Sequence, residues 1–361
     1  MVGIIIAVPV ALSPFTKKYI EAMEKKNIPY EVVEWNRYGA VSEKSDKYHT
    51  YFVPTGRYSG LASKILPFFK FRNFAKKIIK ERKYDKLIVL TTQTAFVIFD
   101  VLLGRKYRNK YFFDYRDTSY EYITLYKRFV NRVILNSYAT CISSYGFKKY
   151  LTDKKELIIA HNFQKGYYGS RKTHCSGRVN AEKLIIGYIG YLREYEYLKN
   201  FIDAFGNDKR FEFHIHGSGD CEQQLRDYAE KYDNVTVYGG YKETEKMDIV
   251  DTFDMICYNY PYSFVNYPAM ANKFYDGMIR KKPMFGNSDT FSGELIEKYG
   301  LGISLPEDEK KITDKIYEYL MSFDKEQFEK SCEDFLLRVI REEEAYIAKI
   351  DEFLDEGECS L

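Results

Sequence analysis

Residues 266–286 read NYPAMANKFYDGMIRKKPMFG. An irregular aromatic lead-in gives way to the polar pair Asn272-Lys273, then to Tyr275-Asp276, a basic turn and a proline that enters an apolar run. This order predicts a loop, a short helix over 272–279 and a strand over 283–285. The first turn of a helix carries backbone N–H groups without intrahelical partners, and such groups suit phosphate. The stretch therefore predicts an α/β unit that holds phosphates and riboses.

The same alternation extends on both sides. Upstream, strands are expected over 183–189, 211–215, 235–238 and 254–258, closing on Gly190-Tyr191-Leu192-Arg193, His216-Gly217-Ser218-Gly219 and Gly239-Gly240, with helices over 198–205, 222–232 and 243–250. Downstream, a strand over 302–305 precedes three acidic helical segments. The first half opens with a strand at 3–8, a helix at 15–26 and a strand at 30–34. The part up to residue 58 has no assignable pattern. Strands then follow at 86–90, 111–113, 139–143 and 157–160, with helices at 96–103, 121–138 and 144–151 between them. Residues 164–180 are rich in Gly, Lys, Arg and Ser without periodicity, which reads as a linker.

The fold class is thus α/β, with two Rossmann-like domains facing across a cleft. The expected division is 1–165, a linker at 166–182, a second domain at 183–340, and an acidic helix at 341–361 packing back on the first domain. A chain of 361 residues is long enough for two such cores.

The net charge of +3 conceals an asymmetry. Residues 1–183 hold 34 Lys and Arg against 15 Asp and Glu, and the remainder holds 21 against 37. An anionic partner surface is therefore expected for the first half alone. Within it, KILPFFKFRNFAKKIIKERK (64–83) interleaves large apolar residues with eight Lys or Arg. This pattern suits a helix lying on anionic lipid, and equally a core-facing helix with a basic solvated side. Nucleic acid is not expected, because no recognised module accompanies the charge. Six scattered cysteines without metal spacing suit reduced cytosolic thiols. No stretch reaches the roughly 18 apolar residues of a spanning helix, and MVGIIIAVPVAL reads as a buried strand.

In the first half, YFFDYRD ends a strand with Asp114, Arg116 and Asp117. Carboxylates and a guanidinium at a strand's carboxyl end suit a site, and also suit a local salt bridge. His214 and His216 alternate along a strand and are not expected to form a metal pair.

Four motifs stand in one order over about 120 residues: IIGYIGYLREYEYLKNFIDAF, FHIHGSGD, NVTVYGGY, and ANKFYDGMIRKKPMFGNSD ahead of EKYGLGISL. Together they resemble the donor-binding domain of GT-B glycosyltransferases, specifically the family-4-like enzymes of bacterial capsular and exopolysaccharide synthesis. KYDKLIVL, YFFDYRD, ATCISSYGFKKYL and IIAHNF carry the likeness into the first half.

The resemblance implies a retaining glycosyltransferase, metal-independent and without a cofactor. It would take a UDP- or GDP-linked sugar and deliver it to a lipid-linked saccharide at the cytoplasmic face of the cell membrane. Arg193 and Lys199 are similar to the basic pair that holds the donor diphosphate, a fork and a point charge. Gly190, Gly217 and Gly219 would allow backbone to approach the nucleotide, although an ordinary tight turn also explains the glycines at 217 and 219. Tyr238, Gly239 and Tyr241 correspond to a base-binding turn. Asp276 corresponds to the carboxylate that accepts from the ribose hydroxyls, and Asn272 and Lys273 stand beside phosphate or sugar. Asp114 and Asp117 could orient the acceptor hydroxyl, with Arg116 and His161 lining the acceptor side.

The sequence also departs from the family. The first glutamate of its two-glutamate motif falls near Pro268, so sugar contacts pass to Asn266 or to the backbone of 269–271. The N-terminal loop lacks a Gly-Gly pair. A GT-B-type nucleotide-sugar epimerase and a catalytically silent scaffold are the alternative readings.

Overall fold

The computed structural model describes residues 1–39, 45–53, 61–172, 175, 182–322 and 324–356. The strands among them are Val2–Ile6 (β1), Tyr30–Asn36 (β2), Tyr48–Phe52 (β3), Lys86–Leu90 (β4), Tyr111–Tyr115 (β5), Ala139–Ile142 (β6), Leu157–Ile159 (β7), Leu184–Ile189 (β8), Phe211–His216 (β9), Val235–Gly239 (β10), Met255–Tyr258 (β11), Met284–Asn287 (β12) and Gly302–Leu305 (β13). The α-helices are Thr16–Lys25 (α1), Leu61–Arg82 (α2), Thr92–Val97 (α3), Phe99–Leu102 (α4), Thr124–Asn136 (α5), Lys165–Tyr168 (α6), Tyr195–Gly206 (α7), Glu222–Ala229 (α8), Lys246–Asp251 (α9), Asn272–Ile279 (α10), Phe291–Tyr299 (α11), Ile312–Ser322 (α12) and Lys325–Asp355 (α13).

The chain divides into two compact units, Met1–His161 with Arg341–Leu361, and Asn162–Ile340. The first holds a parallel sheet in the order β3-β2-β1-β4-β5-β6-β7, and the second one in the order β10-β9-β8-β11-β12-β13. The strand order reverses between β1 and β4 in one sheet and between β8 and β11 in the other, and open α/β sheets bind ligands outside the carboxyl ends at such points. The junction lies at His161/Asn162. The region expected to be linker begins with α6, whose Tyr167 and Tyr168 pack against the second unit's core.

Both reversal points are fixed by the same device. Gly3 of β1 has no Cβ, and one built there would lie 2.5 Å from the ring of Tyr84, two residues before β4. Gly187 of β8 stands in the same relation to Phe253, two residues before β11, with the ring at 2.1 Å. The aspartate after each ring completes the join: Asp85 binds the amino group of Met1 at 2.7 Å, and Asp254 accepts from the backbone N–H of Ile185 at 2.8 Å.

β1, β4 and β5 are almost wholly buried, as apolar runs in a two-sided parallel sheet must be. One face of the first sheet lies under α2, α3 and α5. The other lies under α1 and under Tyr346, Ile350, Phe353 and Leu354 from the last part of α13. The first part of α13 supplies Phe328, Cys332, Phe335, Leu336 and Val339 to the second unit's core.

For 64–83 the structure shows the core-facing alternative. Phe71, Ala75 and Ile79 are buried against the sheet, with Phe68, Phe74 and Ile78 packed around them, which leaves Leu66 and Phe69 exposed. Helical spacing placed most of the aromatics inward and the cations outward. Among the described residues no helix is long and apolar enough to cross a membrane.

Candidate functional site

In the second unit the loops after β8, β9 and β10 are hydrogen-bonded to one another. Gly190 N–H donates to His216 O at 3.0 Å, Leu192 N–H to Ser218 O at 3.0 Å, and Gly217 N–H to Gly239 O at 2.7 Å. This explains two glycines in a way the sequence did not suggest. A Cβ on Gly217 would lie 1.7 Å from Gly190 O, and one on Gly219 would lie 2.2 Å from Leu192 O, so both allow loop to meet loop. Gly190 differs, since a Cβ built there meets nothing, and the space above it is open.

Across the β8/β11 reversal point, α10 brings Lys273 in on its first turn. The side chain is 4% exposed and its Nζ has no hydrogen-bond partner. Aromatic rings surround it, with Nζ 3.7 Å from the ring centre of Tyr188, 4.5 Å from Tyr260 and 5.6 Å from Tyr258. Ring faces attract a cation but do not replace a counter-ion. Burial pushes this ammonium down to about 7, the Cys257 thiol opposes the shift, and the charge of Arg193 adds to it. Arg193 is exposed on the loop after β8, and its charge also reaches Tyr188 and Tyr260. The charge of Arg193 thus reaches Lys273. Lys199 Nζ lies 3.5 Å from Glu196 and 5.1 Å from the Tyr228 ring centre on α8.

One turn further along α10, Asp276 is buried and paired with Lys246 at 3.2 Å. Lys246 also binds Glu243 at 2.9 Å and lies 4.7 Å from the Tyr167 ring centre. Burial pushes the Asp276 carboxyl up to about 6, against the pull of Lys246. Tyr241 is half-buried nearby, its hydroxyl pushed up to about 12 by burial and by the charges of Glu243 and Asp276. Tyr238 lies on the outer face of β10, exposed and stacked on His216 with centres 4.3 Å apart and planes 6° apart. Burial, with His214 adding to it, pushes His216 down to about 4, so the ring under Tyr238 is neutral. Gly239 has φ +88°, a conformation that favours glycine. Asn272 is exposed at the start of α10.

Asn266 is tied into its own loop. Its Nδ2 donates to Pro261 O at 3.0 Å, which fixes the loop after β11. Ala269 N–H donates to Asn266 O and Ala271 N–H to the Tyr258 hydroxyl at 2.7 Å, so two of the three amides expected to meet sugar are engaged within the loop.

In the first unit, Asp114 is fully buried. Tyr19 donates to it at 2.8 Å, and Arg116 pairs with it at 2.6 Å while donating to Ala160 O at 2.9 Å. The salt-bridge alternative holds for this pair: both residues brace the sheet's carboxyl edge from inside and do not present to an acceptor. His161 is also held within the unit, its Nε2 2.7 Å from Glu342 Oε2 on α13. Asp117 remains exposed beyond β5.

Sequence reasoning missed the ring cage, Tyr188, Tyr258 and Tyr260, and the Lys246 partner of Asp276. The alternating tyrosines of ICYNY at the end of β11 were its one sequence signal. Among the described residues no group of three or more His, Cys, Asp or Glu is placed to hold a metal ion.

No family model and no curated protein matches the chain. Solved structures do. Sucrose-phosphate synthase from Thermosynechococcus elongatus aligns at 12% identity over 98% of each chain, with a TM-score of 0.67. A glycosyltransferase from Rickettsia africae aligns at 12% identity over 99% of each chain, with a TM-score of 0.65. The Anabaena protein HepE, solved in complex with UDP and glucose, aligns at 11% identity over 99% of each chain, with a TM-score of 0.62. The likeness is one of fold: two parallel α/β sheets in the GT-B architecture.

Proposed function

We propose that this chain is a GT-B glycosyltransferase that moves a sugar from a UDP- or GDP-linked donor to a lipid-linked saccharide, with retention, at the inner face of the cell membrane. The observation that carries this is Lys273, a buried cation without a counter-anion, beside Arg193 at the β8/β11 reversal point. A diphosphate is the group that such a site lacks. The likeness in fold to a protein solved with UDP and glucose supports the nucleotide-sugar class.

The step would run as follows. The bond between the anomeric carbon and the β-phosphate oxygen breaks, and the departing diphosphate takes the electron pair. Lys273, Arg193 and the first-turn N–H groups of α10 meet the charge that develops, and fixed positive groups in a dry site lower such barriers most. The acceptor oxygen bonds to the anomeric carbon on the face the phosphate leaves, and its proton passes to a leaving-phosphate oxygen. No protein base is needed, and the two fixed cations serve where a metal would. Asp276, held by Lys246, would accept from ribose hydroxyls.

Turnover of a panel of nucleotide sugars by wild type, Lys273→Met and Arg193→Ala tests this. Loss of donor turnover in both variants is expected, and unchanged turnover in both would remove the phosphate-site assignment. A silent scaffold is favoured by one observation, the absence of a carboxylate at Pro268 together with the commitment of Asn266 to the loop. Donor binding without any product in the same panel would select it.

A further inference from the structure

The first unit exposes a connected apolar face that the donor chemistry does not use. Phe96 on α3, Phe99 on α4 and Tyr120, Tyr122, Ile123 and Leu125 around the start of α5 are all exposed, Leu125 by 77% and Tyr122 by 64%. Ring contacts join them. Phe96 lies 6.5 Å from Phe99 and 5.6 Å from Tyr126, and Tyr120 lies 5.7 Å from Tyr126 and 6.3 Å from Tyr122. Scattered exposed apolar residues are ordinary, whereas a contiguous face of this kind marks an interaction surface.

Its border is cationic. Arg72 of α2 lies 5.3 Å from the Phe99 ring centre, Lys77 and Lys80 are exposed along the same helix, and Arg128 and Arg132 are exposed on α5. Of the carboxylates nearby, Asp100 and Glu121 are neutralised or turned inward, Glu81 lies 3.9 Å from Lys77, and Asp117 is exposed. Asp100 is paired with Arg72 at 2.9 Å and with Lys76 at 2.5 Å. Glu121, the one carboxylate in 118–136, is buried and accepts from the Tyr115 hydroxyl at 2.9 Å and the Ser119 N–H at 2.6 Å. Exposed tyrosine and phenylalanine rings inside a border of Lys and Arg match the chemistry of a bilayer interface, where aromatics sit at headgroup depth and cations meet anionic lipid.

We infer that the face formed by Phe96, Phe99 and residues 120–125 is where this protein lies on an anionic lipid bilayer. The inward-facing aromatics of α2 take no part, and that helix contributes its exposed lysines. The inference deepens the reading of the acceptor as lipid-linked and rests on it for its purpose, because an enzyme acting on such an acceptor must work at the membrane surface.

The test is flotation of the full-length protein with phosphatidylcholine vesicles, with and without 30% phosphatidylglycerol. Wild type should float with the anionic vesicles, and the triple variant Tyr122→Ser/Ile123→Ser/Leu125→Ser should partition at least about tenfold less, given three apolar side chains left in water. All three residues are exposed, so an unchanged melting temperature is expected for the variant. Unchanged nucleotide-sugar affinity is expected as well, since Lys273 and Arg193 belong to the other unit. Equal flotation of variant and wild type would overturn the inference. So would a concentration-dependent dimer that the same variant abolishes while vesicle binding persists, since the face would then serve a second copy of the chain. A wild type that binds donor but ignores vesicles sinks this inference alone, and one that floats but binds no donor sinks only the transfer reading.

Discussion

Donor binding should draw a proton from solution at pH 8, and Lys273 is the group that takes it up. With its ammonium pushed down to about 7, the unliganded site at pH 8 holds the proton in only about a tenth of molecules. A diphosphate against Nζ would restore the charge, so uptake of about 0.9 proton per donor bound is expected at pH 8. Asp276, at about 6, is already ionised there and contributes nothing, whereas near pH 6 its release of a proton to engage ribose offsets the small uptake left to Lys273. The same linkage weakens donor affinity by about fiftyfold between pH 7 and pH 9. The assay is isothermal titration of a nucleotide sugar in Tris and in HEPES, whose ionisation enthalpies differ, with wild type and Lys273→Met. The nucleotide sugar should carry no group of its own that titrates in this range. Equal apparent enthalpies in the two buffers at pH 8, with wild-type affinity intact, would refute the reasoning. The unliganded protein supplies a consistency check. The folded-state value lies below the unfolded one, so stability should rise with pH from about 7 towards 10, where the unfolded chain binds more protons.

The other expectations are simpler. Arg193→Ala should lower kcat/KM by about a hundredfold, as loss of one charge-stabilising group does; steady-state kinetics with one donor measures it. Gly217→Ala should destabilise by about 2–4 kcal/mol in urea unfolding, since its Cβ would stand 1.7 Å from Gly190 O in a backbone with φ +152°. Phe353→Ala should cost about 3–5 kcal/mol by the same measurement, through the cavity left beside Phe112 of β5. Lys77→Glu/Lys80→Glu should weaken flotation with anionic vesicles at 50 mM salt by about tenfold or more and matter far less at 500 mM, where the charges are screened.

The sheets were legible because parallel strands buried on both faces are written as unbroken apolar runs, as in IIGYI and KLIVL. β3 was not. Tyr48–Phe52 lies on the sheet's edge, half-buried up to an exposed Phe52, and its residues carry neither a continuous run nor a clean alternation. α10 was placed by its proline and basic turn, yet the meaning of Lys273 was hidden. The rings that enclose it come from positions 188, 258 and 260, which only strand pairing brings together. Lys199 was visible by its spacing after a glycine-containing loop, but its surroundings were not: Leu198, Phe201, Ile202 and Phe205 take the buried face of α7 and leave it on the flank beside α8. Asp114 and Arg116 sit at a carboxyl strand end, as a site pair would, and only the hydroxyl of Tyr19 and the carbonyl of Ala160, both distant in sequence, reveal them as bracing.

The division of α13 between the two units bears on the order in which the protein can mature during its synthesis. One face of the first sheet is completed by Tyr346, Ile350, Phe353 and Leu354, which emerge long after β1 to β7 have been made. The second unit, Asn162–Ile340, needs nothing later than itself. At about 5–20 residues per second the earlier-made half waits roughly 10–40 s with that face uncovered. The domain translated first is therefore the one finished last, and a chaperone that shields apolar sheet would find its substrate there during that interval.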